Sequence, residues 1–93
     1  MWWAHLPRPI GRRPVVLLGR DTAVTVALVT RTVRDIPVEV PLGQEDGLPT
    51  RCVANLDDIT TIPKGLVTER IATLSPERMR EIDEAIRFAL DLP

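Results

Sequence analysis

The sequence predicts a mainly β domain closed into a small barrel or half-barrel, with one α-helix packed against it at the C-terminal end. Three observations carry this expectation. Short apolar runs rich in Val and Thr recur up to residue 74, each bounded by Pro, Gly or a charged cluster, as strands are. From Ser75 onward the apolar residues step by three and four, the period of a helix. The chain has 93 residues, enough for one domain with a thin core and no second one. Strands first and one helix last is the order of a sheet covered by a helix.

Residues 1–5 form a short first strand. Residues 6–12 hold Pro7, Pro9 and Gly11 and make a connector. Residues 14–18 are almost continuously apolar and suit a central strand. Residues 19–21 turn the chain, and residues 22–30 are a Val- and Thr-rich strand followed by a charged loop over 31–35. Residues 36–41 alternate Ile36, Val38 and Val40 with Pro37, Glu39 and Pro41, and the prolines make this an edge strand. Residues 42–49, with Gly43 and Gly47, form a loop before a strand over 50–56 that contains Cys52, Val53 and Ala54. Asp57-Asp58 breaks that strand, with room for one helical turn, and residues 60–62 are short and extended. A turn over 63–65 leads to a further strand over 66–74.

The helix is the clearest element. Ser75 is its N-cap, Pro76 suits the first helical position, and Glu77 complements the positive end of the helix dipole. Met79, Ile82, Ile86, Ala89 and Leu90 form one apolar stripe. Arg80 and Glu84, and Asp83 and Arg87, are spaced to pair on the wet side. Pro93 closes the chain.

The net charge of −1 hides a division of charge. Residues 1–34 carry six arginines against Asp21 alone, a balance of +5, and residues 35–93 carry six basic and twelve acidic side chains, a balance of −6. Arginine grips phosphate with a planar fork, so an all-arginine basic region can steer a polyanion even on a slightly acidic molecule. Cys52 is the single cysteine, which rules out an internal disulfide and a cysteine-based zinc site and fits a reducing cytosol. The longest apolar runs are too short to span a bilayer, and no signal peptide is expected ahead of Trp2-Trp3.

Two apolar strands each bring a polar group to an edge: a guanidinium from Arg12-Arg13 and the hydroxyl of Thr30. A cation and a hydroxyl on rigid strands are a minimal kit for stabilising a phosphate in transit. Arg31 and Arg34, in the loop after Thr30, are candidates to bind a nucleic-acid backbone, and Arg12 is either a solvent charge or a phosphate contact. Trp2 and Trp3 point to opposite faces of a strand, so one is core and the other either stacks on a base or lies at a subunit contact; Trp3 is the candidate to stack. His5 reads as a strand-edge histidine, Cys52 as a small buried apolar residue, and Asp57-Asp58 as a turn with no third metal ligand patterned nearby. Asn55 either anchors that turn or touches a base.

Together these pieces resemble the MazF/PemK toxins, the ribonuclease halves of toxin–antitoxin pairs. The resemblance runs through Trp2-Trp3-Ala4, Leu6-Pro7, Gly11-Arg12-Arg13-Pro14-Val15-Val16-Leu17 and Val26-Ala27-Leu28-Val29-Thr30. It continues through Pro37-Val38-Glu39-Val40, Gly47-Leu48-Pro49, Val53-Ala54-Asn55-Leu56-Asp57-Asp58-Ile59-Thr60-Thr61-Ile62-Pro63-Lys64 and Leu74-Ser75-Pro76-Glu77. It implies an SH3-like barrel of the CcdB/MazF type over residues 1–93, a homodimer, and an mRNA interferase: sequence-specific, metal-independent cleavage of single-stranded RNA in the cytoplasm, with no cofactor. It also implies an acidic MazE-like antitoxin partner and assigns catalysis to Arg13 and Thr30.

Two departures stand against the family pattern. Met1 directly precedes Trp2, where members usually carry a few more residues with a Gly-Asp or Gly-Glu pair, and residues 6–12 lack a Ser-Glu-Gln-type segment that helps cover the site. Two other readings follow: a CcdB-like topoisomerase-binding toxin without catalysis, and a truncated paralogue that titrates antitoxin. CcdB-type toxins lack the Arg13/Thr30 pairing, which favours the ribonuclease.

Overall fold

The computed structural model describes residues 1–20 and 23–90. Six strands and one helix follow in order: β1 (Trp2–His5), β2 (Arg12–Arg20), β3 (Ala23–Thr30), β4 (Glu39–Leu42), β5 (Cys52–Pro63), β6 (Val67–Arg70) and α1 (Pro76–Ala89). The strands make one antiparallel sheet in the order β4-β5-β3-β2-β1-β6, which puts the proline-bearing β4 at an edge as expected.

Side chains alternate across this sheet, and both faces are apolar. Val16, Ala27, Val29, Val40, Leu42, Ala54 and Leu56 pack on one side with Ile82 and Ala85 of α1. Val15, Val24, Val26, Leu28 and Ile62 pack on the other, covered by Leu6 and Leu66 from the connections. The period-two alternation of β2 and β3 is the cause: neighbours along each strand feed different cores. Gly11, at φ +70°, turns the chain into β2, and Gly47, at φ +93°, ends a single 3-10 turn over Gln44–Asp46.

Several strand limits differ from the sequence reading. β2 extends from Arg12 to Arg20, so Arg12, expected in the connector, belongs to the strand together with Arg13. Pairing with β1 holds them there, Ala4 opposite Arg13 and His5 opposite Arg12. Gly19 and Arg20 also stay extended opposite Thr25 and Val24 after a bulge at Leu18. Asp21 and Thr22, and with them the expected turn and strand start, lie outside the described residues, as does Pro93. β4 starts only at Glu39, because a turn closed by Glu39 N–H to Ile36 C=O (2.9 Å) occupies residues 36–39.

Asp57-Asp58 does not break β5, and no helical turn forms there. Ala27 pairs with Ile59 and Leu28 with Asn55, so β5 absorbs three extra residues as a bulge. The strand expected over 66–74 is limited to β6. A 3-10 turn takes Lys64–Leu66, and beyond Arg70 the N–H groups of Ile71 and Ala72 both donate to the Met1 carbonyl, outside the paired strands.

The helix begins as expected: Ser75 Oγ accepts from the Arg78 N–H at 3.1 Å. Its buried face is Ile82 and Ala85, with Ile86 partly buried, whereas Met79 and Leu90 of the expected stripe are exposed. The pairs Arg80–Glu84 and Asp83–Arg87 do not form. Arg78 instead binds Glu45 at 2.7 Å, Asp46 at 3.0 Å and Glu81 at 3.0 Å. Hydrogen bonding to buried Asp46, ahead of Glu81, keeps Arg78 firmly protonated against the cost of its own burial. This cluster ties α1 to the β4–β5 connection.

Candidate active site

The β2–β3 register builds the site. Val15 faces Leu28 and Val16 faces Ala27. The paired register ends there; beyond it Arg13, two residues before Val15, and Thr30, two residues after Leu28, line the same hollows. Both are half-buried at the end of central strands, where neighbours on each side fix the backbone. β1 flanks Arg13 through Ala4, and β5 flanks Thr30 through Val53.

Two adjoining hollows open on this edge, and Arg13 and Thr30 line both. The larger, about 480 Å³, also takes in Trp3, Arg12 and Arg31, with Cys52 and Leu48 among its apolar lining. The smaller, about 290 Å³, takes in Thr32, Arg34, Asn55 and Asp58. Of the six residues the sequence singles out, five therefore share the first hollow, and Arg34 stands in the second beside the same pair.

Local bonding prepares several of these groups. Thr30 Oγ1 accepts from the Thr32 N–H at 3.2 Å, which leaves its hydroxyl hydrogen to donate elsewhere. The Arg12 guanidinium lies 4.0 Å from the centre of the Trp3 ring, a cation–π contact that holds both at the mouth of the first hollow. Trp2 faces the other way and packs on the core of Val15 and Val26. Burial pushes the Cys52 thiol pKa up, against a smaller opposing pull from Arg31, so it stays a neutral thiol at ordinary pH.

Three arginines, Arg12, Arg31 and Arg34, thus stand around two small hollows that share the guanidinium of Arg13 and the hydroxyl of Thr30. Such a rim favours a chain with a charge at every unit, and the central pair can donate to oxygen atoms on which negative charge builds. Among the described residues no group of three or more His, Cys, Asp or Glu side chains gathers as metal ligands do.

The sequence reading gives no site role to Glu39, Asp58 or the segment Leu48-Pro49-Thr50. Asp58 lines the smaller hollow from within the β5 bulge, and Leu48–Thr50 line the larger one just after the turn that Arg78 binds, with Leu48 buried in the core. Glu39 sits on the polar side of the expected alternation, yet it is buried. Its one signal in the sequence is an arginine five residues earlier.

Comparison with known proteins points the same way as the geometry. The model of the family described as PemK-like, MazF-like toxin of type II toxin–antitoxin system matches residues 1–90. The probable endoribonuclease MazF5 of Mycobacterium tuberculosis is 37% identical over 98 residues, covering 98% of this chain and 89% of that protein. The structure of the Mycobacterium tuberculosis toxin MazF-mt6 superposes with a TM-score of 0.90 at 35% identity, covering 99% and 96% of the two chains. A mycobacterial endoribonuclease in complex with its cognate antitoxin superposes at 0.84 with 28% identity, covering 99% and 93%.

Proposed function

This chain belongs to the PemK-like, MazF-like toxins of type II toxin–antitoxin systems, and from that membership we propose how its residues cut RNA. It is a MazF-like endoribonuclease toxin, a single toxin domain over residues 1–93 whose substrate is single-stranded RNA. The 2′-oxygen of one nucleotide gives up its proton to water and forms a bond to the neighbouring phosphorus, while the bond to the 5′-oxygen breaks and that oxygen takes a proton from water. The products are a 2′,3′-cyclic phosphate and a 5′-hydroxyl.

Arg13 donates two hydrogen bonds to the phosphoryl oxygens as charge builds on them. A guanidinium is a poor base, so its part is electrostatic. The Thr30 hydroxyl donates a third. The nucleophile belongs to the RNA itself, so the protein's task is to align it and hold charge, with no cofactor or metal in the scheme. Arg12, Arg31 and Arg34 hold flanking phosphates, and Trp3 stacks on a base. The active form is a homodimer in the cytoplasm, and a MazE-like antitoxin with an acidic flexible tail neutralises it by occupying the RNA groove. No helix among the described residues is long and apolar enough to cross a membrane.

The observation that supports this reading is that Arg13 and Thr30 line the same two hollows, next to the paired part of β2 and β3. Single-stranded RNA incubated in EDTA with the protein and with Arg13→Ala tests it. Cleavage by the unaltered protein alone is the expected result. Cleavage abolished by EDTA overturns the metal-free scheme, and undiminished cleavage by Arg13→Ala overturns the role of Arg13.

A further inference from the structure

Two acidic side chains among the described residues are buried, Asp46 and Glu39. Asp46 serves the joint between α1 and the β4–β5 connection. Glu39 turns toward the loop that leaves Thr30. Its Oε1 accepts from the backbone N–H of Arg34 at 2.8 Å and of Asp35 at 3.1 Å, and its Oε2 accepts from Arg34 Nε at 2.9 Å. One carboxylate therefore clamps the backbone and the side chain of the same arginine. Asp35, next to it, lies at φ +55°, a left-handed conformation that local hydrogen bonds must hold.

The exposure of the pair is lopsided. The Glu39 side chain is 2% exposed and that of Arg34 48%, so the acid is hidden and the cation presented. With Nε taken, Arg34 keeps Nη1 and Nη2 for a ligand, and no described residue accepts from either. The side chain lines the smaller hollow beside Arg13 and Thr30. A guanidinium already fixed at Nε loses less rotamer freedom when it binds than a free one does. Burial alone would raise the Glu39 pKa, but the bonds from Arg34 and Asp35 outweigh it and hold the carboxyl below its ordinary value, charged at neutral pH.

We propose that Glu39 is a positioning residue for the RNA: its buried carboxylate orients Arg34 so that the terminal guanidinium nitrogens meet a backbone phosphate adjacent to the one held by Arg13 and Thr30. This rests on the reading of Arg34 as an RNA contact. The substitution that isolates it is Glu39→Gln. The amide keeps an oxygen for the two backbone N–H groups but turns a donor toward Arg34 Nε. The loop therefore keeps most of its bonds while the guanidinium loses its guide.

The measurement is binding of a fully 2′-O-methylated single-stranded oligonucleotide, which cannot be cut, across a salt series. One phosphate contact on a single strand is worth about 0.7 in the slope of log affinity against log salt. Arg34→Ala is expected to lower the slope by about that amount. Glu39→Gln is expected to lower it in the same direction with Arg34 still present, and the double variant should match Arg34→Ala alone. On cleavable RNA the two single variants should raise KM more than they lower kcat.

An unchanged slope in Glu39→Gln, or a double variant that loses the sum of the two effects, overturns the proposal. Should Glu39→Gln lack a cooperative melt, Arg34→Lys decides with Glu39 untouched. Lysine keeps the charge but has no fork to be held at Nε, so the proposal expects it to lose part of the slope, and full retention of the slope overturns it. Arg13→Ala separates this from the function itself. If that variant cuts RNA normally the site reading fails; if it is inactive while Glu39→Gln binds like the unaltered protein, only the role of Glu39 fails.

Discussion

Thr30→Val is the substitution that asks most of the site, because it removes one hydroxyl and little else. Both residues are β-branched and suit a strand, so the pairing of position 30 with Val53 is expected to persist. In the native protein the oxygen of this hydroxyl already accepts from the Thr32 N–H, and its hydrogen is uncommitted. That hydrogen is what the phosphate would receive. A hydrogen bond to a charged partner contributes about 1.5–3 kcal/mol, and at 1.36 kcal/mol per tenfold this slows the chemical step by about 10- to 150-fold. Arg13→Ala removes a charged fork and should cost more, at least the ~10²–10³-fold typical of one preorganised donor. The loss should fall on kcat, since the bond strengthens only as charge builds. The Thr32 N–H lies in an exposed loop where water replaces the lost acceptor, so Tm should move by no more than about 4 °C. Single-turnover cleavage of an end-labelled RNA pool, with fragment ends mapped, measures the rate and the product chemistry together. Thr30→Ser should recover most of the activity. A Thr30→Val rate equal to that of the unaltered protein refutes the assignment, and so does a Thr30→Ser rate as low as that of the valine variant.

Stability offers further tests. Arg78→Met leaves Asp46 charged and buried without its cation, a change that costs about 3 kcal/mol or more, so Tm should fall by about 12–24 °C in a thermal melt. Ser75→Ala removes only the N-cap and should lower Tm by about 4–8 °C. Glu39, whose pKa is lowered from an ordinary 4.5, contributes stability that is complete above that value and fades as pH falls through its lower folded value. The difference in unfolding free energy between the unaltered protein and Glu39→Gln should therefore shrink on acidification below about pH 4.5, with Arg34 and Asp35 on its own loop and Arg78, Glu81 and Glu84 of α1 as the charged groups around it. Cys52 should resist alkylation at pH 8 in the folded protein and react promptly in denaturant, because its thiol is buried and its pKa raised.

How far the site can be read from the chain depends on what each residue's placement requires. Arg13 and Thr30 are legible because each ends an apolar run, and antiparallel neighbours joined by a short connection bring the start of one strand to the end of the next. Ser75 is legible because a helix N-terminus satisfies its own amides with a nearby side chain, a local matter. The β5 bulge is not. Asp57-Asp58 carries strong local signals for a turn, yet the strand runs on, since Leu28 and Ala27 of β3 offer partners on both sides of the interruption and the two aspartates can face water without leaving the sheet. Only that long-range pairing brings Asn55 and Asp58 beside Arg13. Glu39 fails for a related reason: alternation in an edge strand assigns it to solvent, but the loop over 31–38 folds across it and supplies three donors at once. Strand alternation tells which face of the sheet a residue is on. It does not tell what the connecting loop lays over that face, and at this site the loop carries the cation.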